Sequence, residues 1–250
     1  MNDFNPDDWD SHWTNSNASA SISPAQIYRH RVITKVVQKL NRYQLVDIGC
    51  GQGDFLERLD QEIDGIRLSG VELSDTGARI TRAKVPGATI FQADLMQDNP
   101  KIENVSANTI GTCLEVLEHL DDPIKFLNNA KRLLANNAFL VVSVPSGPRT
   151  EFDKHIGHRR HYTPKSLREM LTNAGFTEVK VRRCGWPFFN LYRFMVYLRG
   201  KKLIEDVEIK TIETSFVAKI VSTVFNFLCR FNLPIPILGW QLVAICRYQE

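Results

Sequence analysis

The sequence is short of most features that would assign a protein at sight. Its five cysteines, Cys50, Cys113, Cys184, Cys229 and Cys246, lie far apart, form no CxxC pair and have no histidine at ligand spacing. That spacing disfavours a zinc site and a disulfide framework, so no metal is expected and a reducing cytoplasm suits the chain. No stretch offers the roughly 18 uninterrupted apolar residues of a spanning helix. The opening, MNDFNPDDWD, is acidic and without an apolar run, so no secretory leader is expected. No internal repeat is visible. Net charge is scarce too, only +3 over 250 residues, but it is unevenly placed. Residues 151–202 carry 12 Lys+Arg against 4 Asp+Glu, whereas 1–150 carry 15 against 19 and 203–250 carry 4 against 5. A basic middle segment suits an anionic substrate, a phosphate-bearing ligand or an acidic surface, and equally a solvated face.

What is present is enough for one domain with a sizeable core: 43% of residues are hydrophobic and 24% charged. Residues 1–23, rich in Asp, Asn and Ser, read as a flexible segment, although Trp9 and Trp13 are costly residues to leave in water. From Pro24 a helix is expected, with Ser23 as its cap and Ile27, Val32, Val36, Val37 and Leu40 as its apolar stripe. Strands and helices then alternate. Strands are expected at Tyr43–Ile48, Arg67–Leu73, Thr89–Gln92, Thr109–Leu114, Phe139–Val144, Glu178–Arg183 and Gln241–Arg247. Helices are expected through Phe55–Leu59, near Thr76–Lys84, over Pro123–Leu134 and over Pro164–Ala174, the last capped by Thr163 and stopped by Gly175. This order predicts an α/β fold, a doubly wound, seven-stranded, mainly parallel sheet occupying 24–250. Residues 186–238 break the alternation and read as a helical insertion between the last two strands.

The chemistry-bearing run is Val46-Asp47-Ile48-Gly49-Cys50-Gly51-Gln52-Gly53-Asp54-Phe55. A buried strand ends in a turn with glycine at three alternate positions, and a helix follows. Absent side chains let a ligand lie against the backbone, and the helix start offers unpaired N–H groups. A dinucleotide-binding turn places its third glycine where Asp54 stands here, which disfavours a nicotinamide-dependent oxidoreductase. Strand two then ends in Glu72-Leu73, strand three in Ala93-Asp94-Leu95, and strand four in Leu114-Glu115-Val116-Leu117-Glu118-His119-Leu120. These polar strand ends all fall at the carboxyl edge of the sheet, where doubly wound folds bind ligands.

In these residues the chain resembles the class I methyltransferases, nearest to the branch of ubiquinone-biosynthesis O-methyltransferases. Asp47-Ile48-Gly49-Cys50-Gly51-x-Gly53 matches that family's first motif, Glu72 its ribose-binding acid and Asp94 its adenine-binding acid. Glu115 to Leu120 matches the stretch after strand four. The likeness covers about residues 25–185 and departs at Asn136-Asn137, where many members have two glycines. It implies S-adenosylmethionine as cofactor, held by Asp47, Gly49, Cys50, Gly51, Gly53, Glu72, Leu73, Asp94, Leu95, Cys113 and Leu114. Cys50 and Cys113 read as small pocket-lining residues, not as nucleophiles. Glu118 and His119 read more readily as groups that polarise or cap the following helix.

An O-methyl acceptor needs a base, an amine acceptor less so. Three of the six histidines fall in Asp153–Pro164, expected to be a loop over the cofactor edge. His158, then His155, are the candidate bases, with Arg159, Arg160 and Tyr162 as candidate acceptor contacts. The same loop serves equally well if it only orders the site. Phe188 to Leu198 and Phe216 to Phe231 are apolar runs that suit a hydrophobic lid, a membrane-surface contact or a dimer interface. A small-molecule acceptor, hydrophobic or anionic and lipid- or glycan-linked among the options, is the expected substrate. A non-catalytic cofactor-binding subunit and an N-methyltransferase are the alternatives. No nucleic-acid partner is expected, since strand four lacks an Asn/Asp-Pro-Pro-Tyr/Phe tetrad and no RNA-binding appendage is recognisable.

Overall fold

A computed structural model describes residues 7–14, 23–100, 102, 108–208, 216–233 and 237–250. Seven strands form one sheet: β1 (Gln44–Ile48), β2 (Arg67–Glu72), β3 (Thr89–Gln92), β4 (Asn108–Leu114), β5 (Leu134–Pro145), β6 (Thr177–Cys184) and β7 (Gln241–Arg247). Their spatial order is β3-β2-β1-β4-β5-β7-β6. The first five pair in parallel, and β7 runs antiparallel between β5 and β6. Strand order reverses between β1 and β4, so the crevice at their carboxyl ends is the switch point at which such sheets bind ligands.

The helices are α1 (residues 9–14), α2 (Pro24–Leu40), α3 (Asp54–Glu62), α4 (Asp75–Lys84), α5 (Pro123–Ala130), α6 (Glu151–His155), α7 (Pro164–Asn173), α8 (Phe188–Glu208) and α9 (Phe216–Leu228). Period-two alternation sorts the strand residues between two cores. Val46, Leu140, Val142 and Leu242 pack with Leu127 of α5 and Leu167 and Leu171 of α7. Leu45, Ile110, Val141 and Val243 pack on the other face with Ile33 of α2, Phe55 and Leu56 of α3 and Ala78 of α4. Each buried leucine or valine of this kind contributes about 1.5–3 kcal/mol relative to exposure.

The expected order of strands and helices holds, and four local readings are corrected. The helix after Pro123 stops at Ala130, and β5 begins at Leu134, five residues before Phe139. The cause is a bulge: Asn108 and Ile110 on β4 face Leu134 and Phe139 on β5, and Asn137 takes φ +62° within the extra length. Asp153–His155 belongs to a helix, because Thr150 and Asp153 form a reciprocal capping box. Ser23 precedes α2 but makes no side-chain cap bond, leaving Pro24 as the starting signal. Thr163 does cap α7, accepting from Ser166 N. Finally, part of the stretch expected to be flexible is the ordered turn α1, while 1–6 and 15–22 lie outside the described residues.

Candidate active site

The glycine turn is built as its spacing requires. Gly49, Gly51 and Gly53 take φ of +80°, +55° and +79°, a region that side chains other than glycine's rarely enter. Gly49 N–H and Cys50 N–H both donate to Val71 O, at 2.8 and 3.0 Å, which ties the turn to the end of β2. There Glu72 accepts from Gly51 N–H at 2.8 Å and from Ser74 N–H at 3.0 Å. The acid and the glycine turn therefore share one crevice. Burial raises the Glu72 pKa, and these backbone donors offset part of the rise.

Asp47 points into the same region from β1 and accepts from Thr112 Oγ1 at 2.6 Å. Burial pushes its carboxyl up to about 7, and Glu72 adds to the rise. A cationic ligand in the crevice would relieve both carboxylates. Asp94 lies on the next strand end, its neighbour Ala93 donating to Glu72 O at 2.9 Å, and Asp94 accepts from Met96 N–H at 2.8 Å. Leu95, Cys50 and Cys113 are buried, Leu73 is exposed and Leu114 half-buried. Burial pushes both cysteine thiols well above the usual range, which removes thiolate chemistry.

The residues expected on the acceptor side come together from the stretch after β4, the 146–162 segment and α8. Glu118 is fully buried, and neither of its carboxylate oxygens has a hydrogen-bond partner. Beside it stand His119 and His158, their rings edge to face at 4.7 Å. His158 Nδ1 lies 3.1 Å from His161 Nε2, and His161 Nδ1 lies 3.2 Å from Gly147 O. A carbonyl only accepts, so His161 Nδ1 carries the proton and its Nε2 accepts from His158 Nδ1. This assignment leaves His158 Nε2 as a bare lone pair. Burial and the flanking cationic and imidazole groups hold His158 well below its ordinary pKa, and burial first holds His119 down to about 4.

Sequence spacing gave no metal set, yet the fold brings two mixed sets together. One is Glu118, His119 and His158; the other is Asp153, His158 and His161; within each, one ligand atom per residue lies within 4.8 Å of the others. Carboxylate with imidazole is a donor set that divalent cations accept.

The remaining sequence candidates are placed differently. His155 sits at the end of α6, half-buried, outside the two histidine sets. Arg159 pairs with Asp7 at 3.0 Å and with Asp121 at 2.6 Å, and Arg160 donates to Asp121 O. Tyr162 is buried and donates to Leu117 O at 3.1 Å, so it braces the strand-four stretch. Three features escaped the sequence reading. Asp153 accepts from Arg193 at 2.9 and 3.1 Å. Glu115 takes φ +56° and accepts from Ser143 and Gln241, with Arg29 at 3.6 Å. Trp9 and Trp13 of α1 lie over the crevice. The two tryptophans four residues apart in a polar segment were the one available signal for α1.

The model of a family described as a methyltransferase domain matches residues 25–181. The chain belongs to that family. Proteins similar to this chain include one described as a probable S-adenosylmethionine-dependent methyltransferase and a methyltransferase solved with S-adenosylmethionine bound, and S-adenosylmethionine is the cofactor. A probable S-adenosylmethionine-dependent methyltransferase of Mycobacterium tuberculosis is 24% identical over 165 residues, covering 63% of this chain. The match spans 57% of that protein's length. A ubiquinone biosynthesis O-methyltransferase of Nitrosomonas europaea is 22% identical over 188 residues, 67% of this chain and 78% of its own. Among solved structures, a Thermotoga maritima methyltransferase described as a possible histamine N-methyltransferase superposes with a TM-score of 0.55. It is 16% identical, with 95% of this chain and 93% of that one covered. That likeness supports the methyltransferase fold.

The Glu72 carboxylate, beside the glycine turn, suits a ribose diol, while Val116 covers the face of Gly49 and Trp13 that of Gly51. Asp47 and Glu72 together offer negative charge to an ammonium and a sulfonium.

Proposed function

We propose that this methyltransferase moves the methyl group of S-adenosylmethionine to a hydroxyl of a small, largely apolar acceptor. The observation that carries this reading is the connection between a cavity and the histidine cluster. A cavity of about 230 Å³ is lined by Pro148, Thr150, Arg193, Phe194, Tyr197 and Trp240. Thr150 and Arg193 both bond Asp153, whose carboxylate lies 3.9 Å from His158 Nδ1 and 3.8 Å from His161 Nε2. Aromatic walls suit an apolar acceptor, and an acidic residue already neutralises the one guanidinium among them.

The cofactor supplies the activated methyl group when bound. The chain aligns the acceptor, keeps water out and takes the hydroxyl proton. His158 is the residue we assign to the last role: its Nε2 carries the lone pair and its orientation is fixed through His161, and its burial makes it a weak base that the acceptor's arrival must strengthen. Arg193 and Thr150 hold Asp153, which lies beside both imidazoles. Methyl-labelled cofactor incubated with apolar and polar cell extracts tests the reaction. A labelled methyl ether in the apolar fraction supports it; label on amine nitrogen or on RNA sinks it. For His158→Gln, kcat should fall about 10²- to 10³-fold with the cofactor Kd unchanged. An unchanged kcat would remove His158 from the base role.

The acceptor reading extends to lipid. Of fifteen exposed large hydrophobic residues among those described, thirteen lie between Trp186 and Leu238. They include Leu191, Phe194, Tyr197 and Leu198 on α8, and Ile220, Val224 and Phe227 on α9, with Arg199, Lys219 and Arg230 exposed beside them. No helix among the described residues is long and apolar enough to cross a membrane. Apolar faces edged with cations favour peripheral docking beside a lipid-borne acceptor. Liposome co-sedimentation tests this: binding with anionic vesicles supports it, and no binding to any vesicle ends it.

A further inference from the structure

The helix α1 lies across the crevice that the cofactor needs. Its own turn is held by Asp8, which accepts from Ser11 N–H at 3.0 Å and from Ser11 Oγ at 2.7 Å. Asp10 clamps it to the start of α4, accepting from Ser74 Oγ at 2.6 Å and Thr76 N–H at 2.8 Å. Trp13 rests on the glycine turn: a Cβ added at Gly51 would come within 2.6 Å of its Cζ2, and one at Gly77 within 2.9 Å of its Cδ1. The ring is thus in contact with the Gly51 backbone, and no ligand atom fits between them. Gly51 is buried, and Glu72 is only 6% exposed.

The same helix reaches the acceptor side. Trp9 stands edge-on to His119 at 5.0 Å, and Asp7 holds Arg159 at 3.0 Å. Residues 7–14 therefore cover the glycine floor and the ribose acid, and tie down a basic residue of the acceptor loop.

We infer that α1 is a plug: docked as it is here it excludes S-adenosylmethionine, and the cofactor binds only as Trp13 leaves the glycine turn. The inference rests on the cofactor assignment above. The Trp13 indole N–H faces the Glu72 carboxylate and helps to lower its pKa, so the docked ring takes up the acid that a ribose would need. Cofactor entry then also frees Arg159 from Asp7 and uncovers His119, so the acceptor side opens second. Cofactor before acceptor is the binding order that results.

Calorimetric titration with S-adenosylhomocysteine tests the plug on the full chain, on Trp13→Ala and on Asp10→Asn. Removing the ring should tighten binding about 5- to 10-fold, since apparent affinity scales with the competent fraction. Asp10→Asn, which loosens the clamp and leaves the ring, should shift affinity in the same direction by less. Hydrogen exchange on the unmodified chain gives a reading free of mutation: amides 9–14 should exchange faster once ligand is bound. Weaker or unchanged binding by Trp13→Ala, or slower exchange with ligand, overturns the plug and makes Trp13 a wall of the cofactor site. Binding by neither variant nor the unmodified chain overturns the cofactor assignment, and the plug with it.

Discussion

Glu72 does two jobs that can be separated. Its carboxylate braces Gly51 and Ser74 through backbone N–H bonds, and in the family reading it also meets the ribose. Glu72→Ala should therefore weaken S-adenosylhomocysteine binding at least tenfold, equal to about 1.4 kcal/mol, while also lowering stability. Calorimetry and urea melts, run side by side, distinguish the two losses. His119 gives a pH signature of opposite kind. Burial depresses its folded pKa to about 4 from an ordinary 6.5. Below 6.5 the unfolded chain binds the proton that the folded chain refuses, so stability present above 6.5 is lost as pH falls towards 4. His158, also depressed by burial, acts in the same direction. The raised carboxyls of Asp47, Glu72 and Glu118 act in the opposite direction, so the reading is a difference between two proteins: against His119→Phe, the unmodified chain should lose urea midpoint as pH falls from 6.5 towards 4. No change in that difference with pH would contradict the burial of His119.

At the scale of elements, the site depends on how strands end and how helices begin. Asp122, Ser74, Thr150 and Thr163 each accept from backbone N–H groups at a helix start, and each helix start follows a strand or loop that carries site residues. The Thr150 cap matters most, because its partner Asp153 also holds Arg193 and lies beside the histidines. Thr163→Ala removes a cap remote from the cofactor turn and should cost about 1 kcal/mol in a urea melt, with S-adenosylhomocysteine affinity intact. Thr150→Ala should cost a similar amount of stability and lower kcat as well, since Asp153 then loses its anchor. Equal kcat in the two variants would separate α6 from the chemistry. Thr163 was legible in sequence as the cap of a helical run. Thr150, and the Asp153 that completes its box, were not read, and so a helix was taken for loop.

Over the whole molecule, the sheet gathers its polar residues at one edge and the helical insertion keeps its apolar ones at the surface. That second arrangement is costly unless something covers it. Phe194→Ser with Phe227→Ser should leave the urea midpoint within experimental scatter, because both side chains are already exposed. The same double variant should lose vesicle binding if α8 and α9 dock on lipid. Retained vesicle binding with a lowered midpoint would instead place both rings in the packing of the insertion.

The sequence alone determined the strand order in the chain, the two-faced core and the cofactor turn. Those features rest on local rules, namely period-two alternation, glycine at positive φ and acids at strand ends, and each is written within a few neighbouring residues. Only the tertiary structure decided which histidine meets which carboxylate, that Arg193 from α8 holds Asp153 across 40 positions of chain, and that α1 lies over Gly51. These contacts join segments distant in sequence, and no spacing rule reports the distance between them once the sheet has folded.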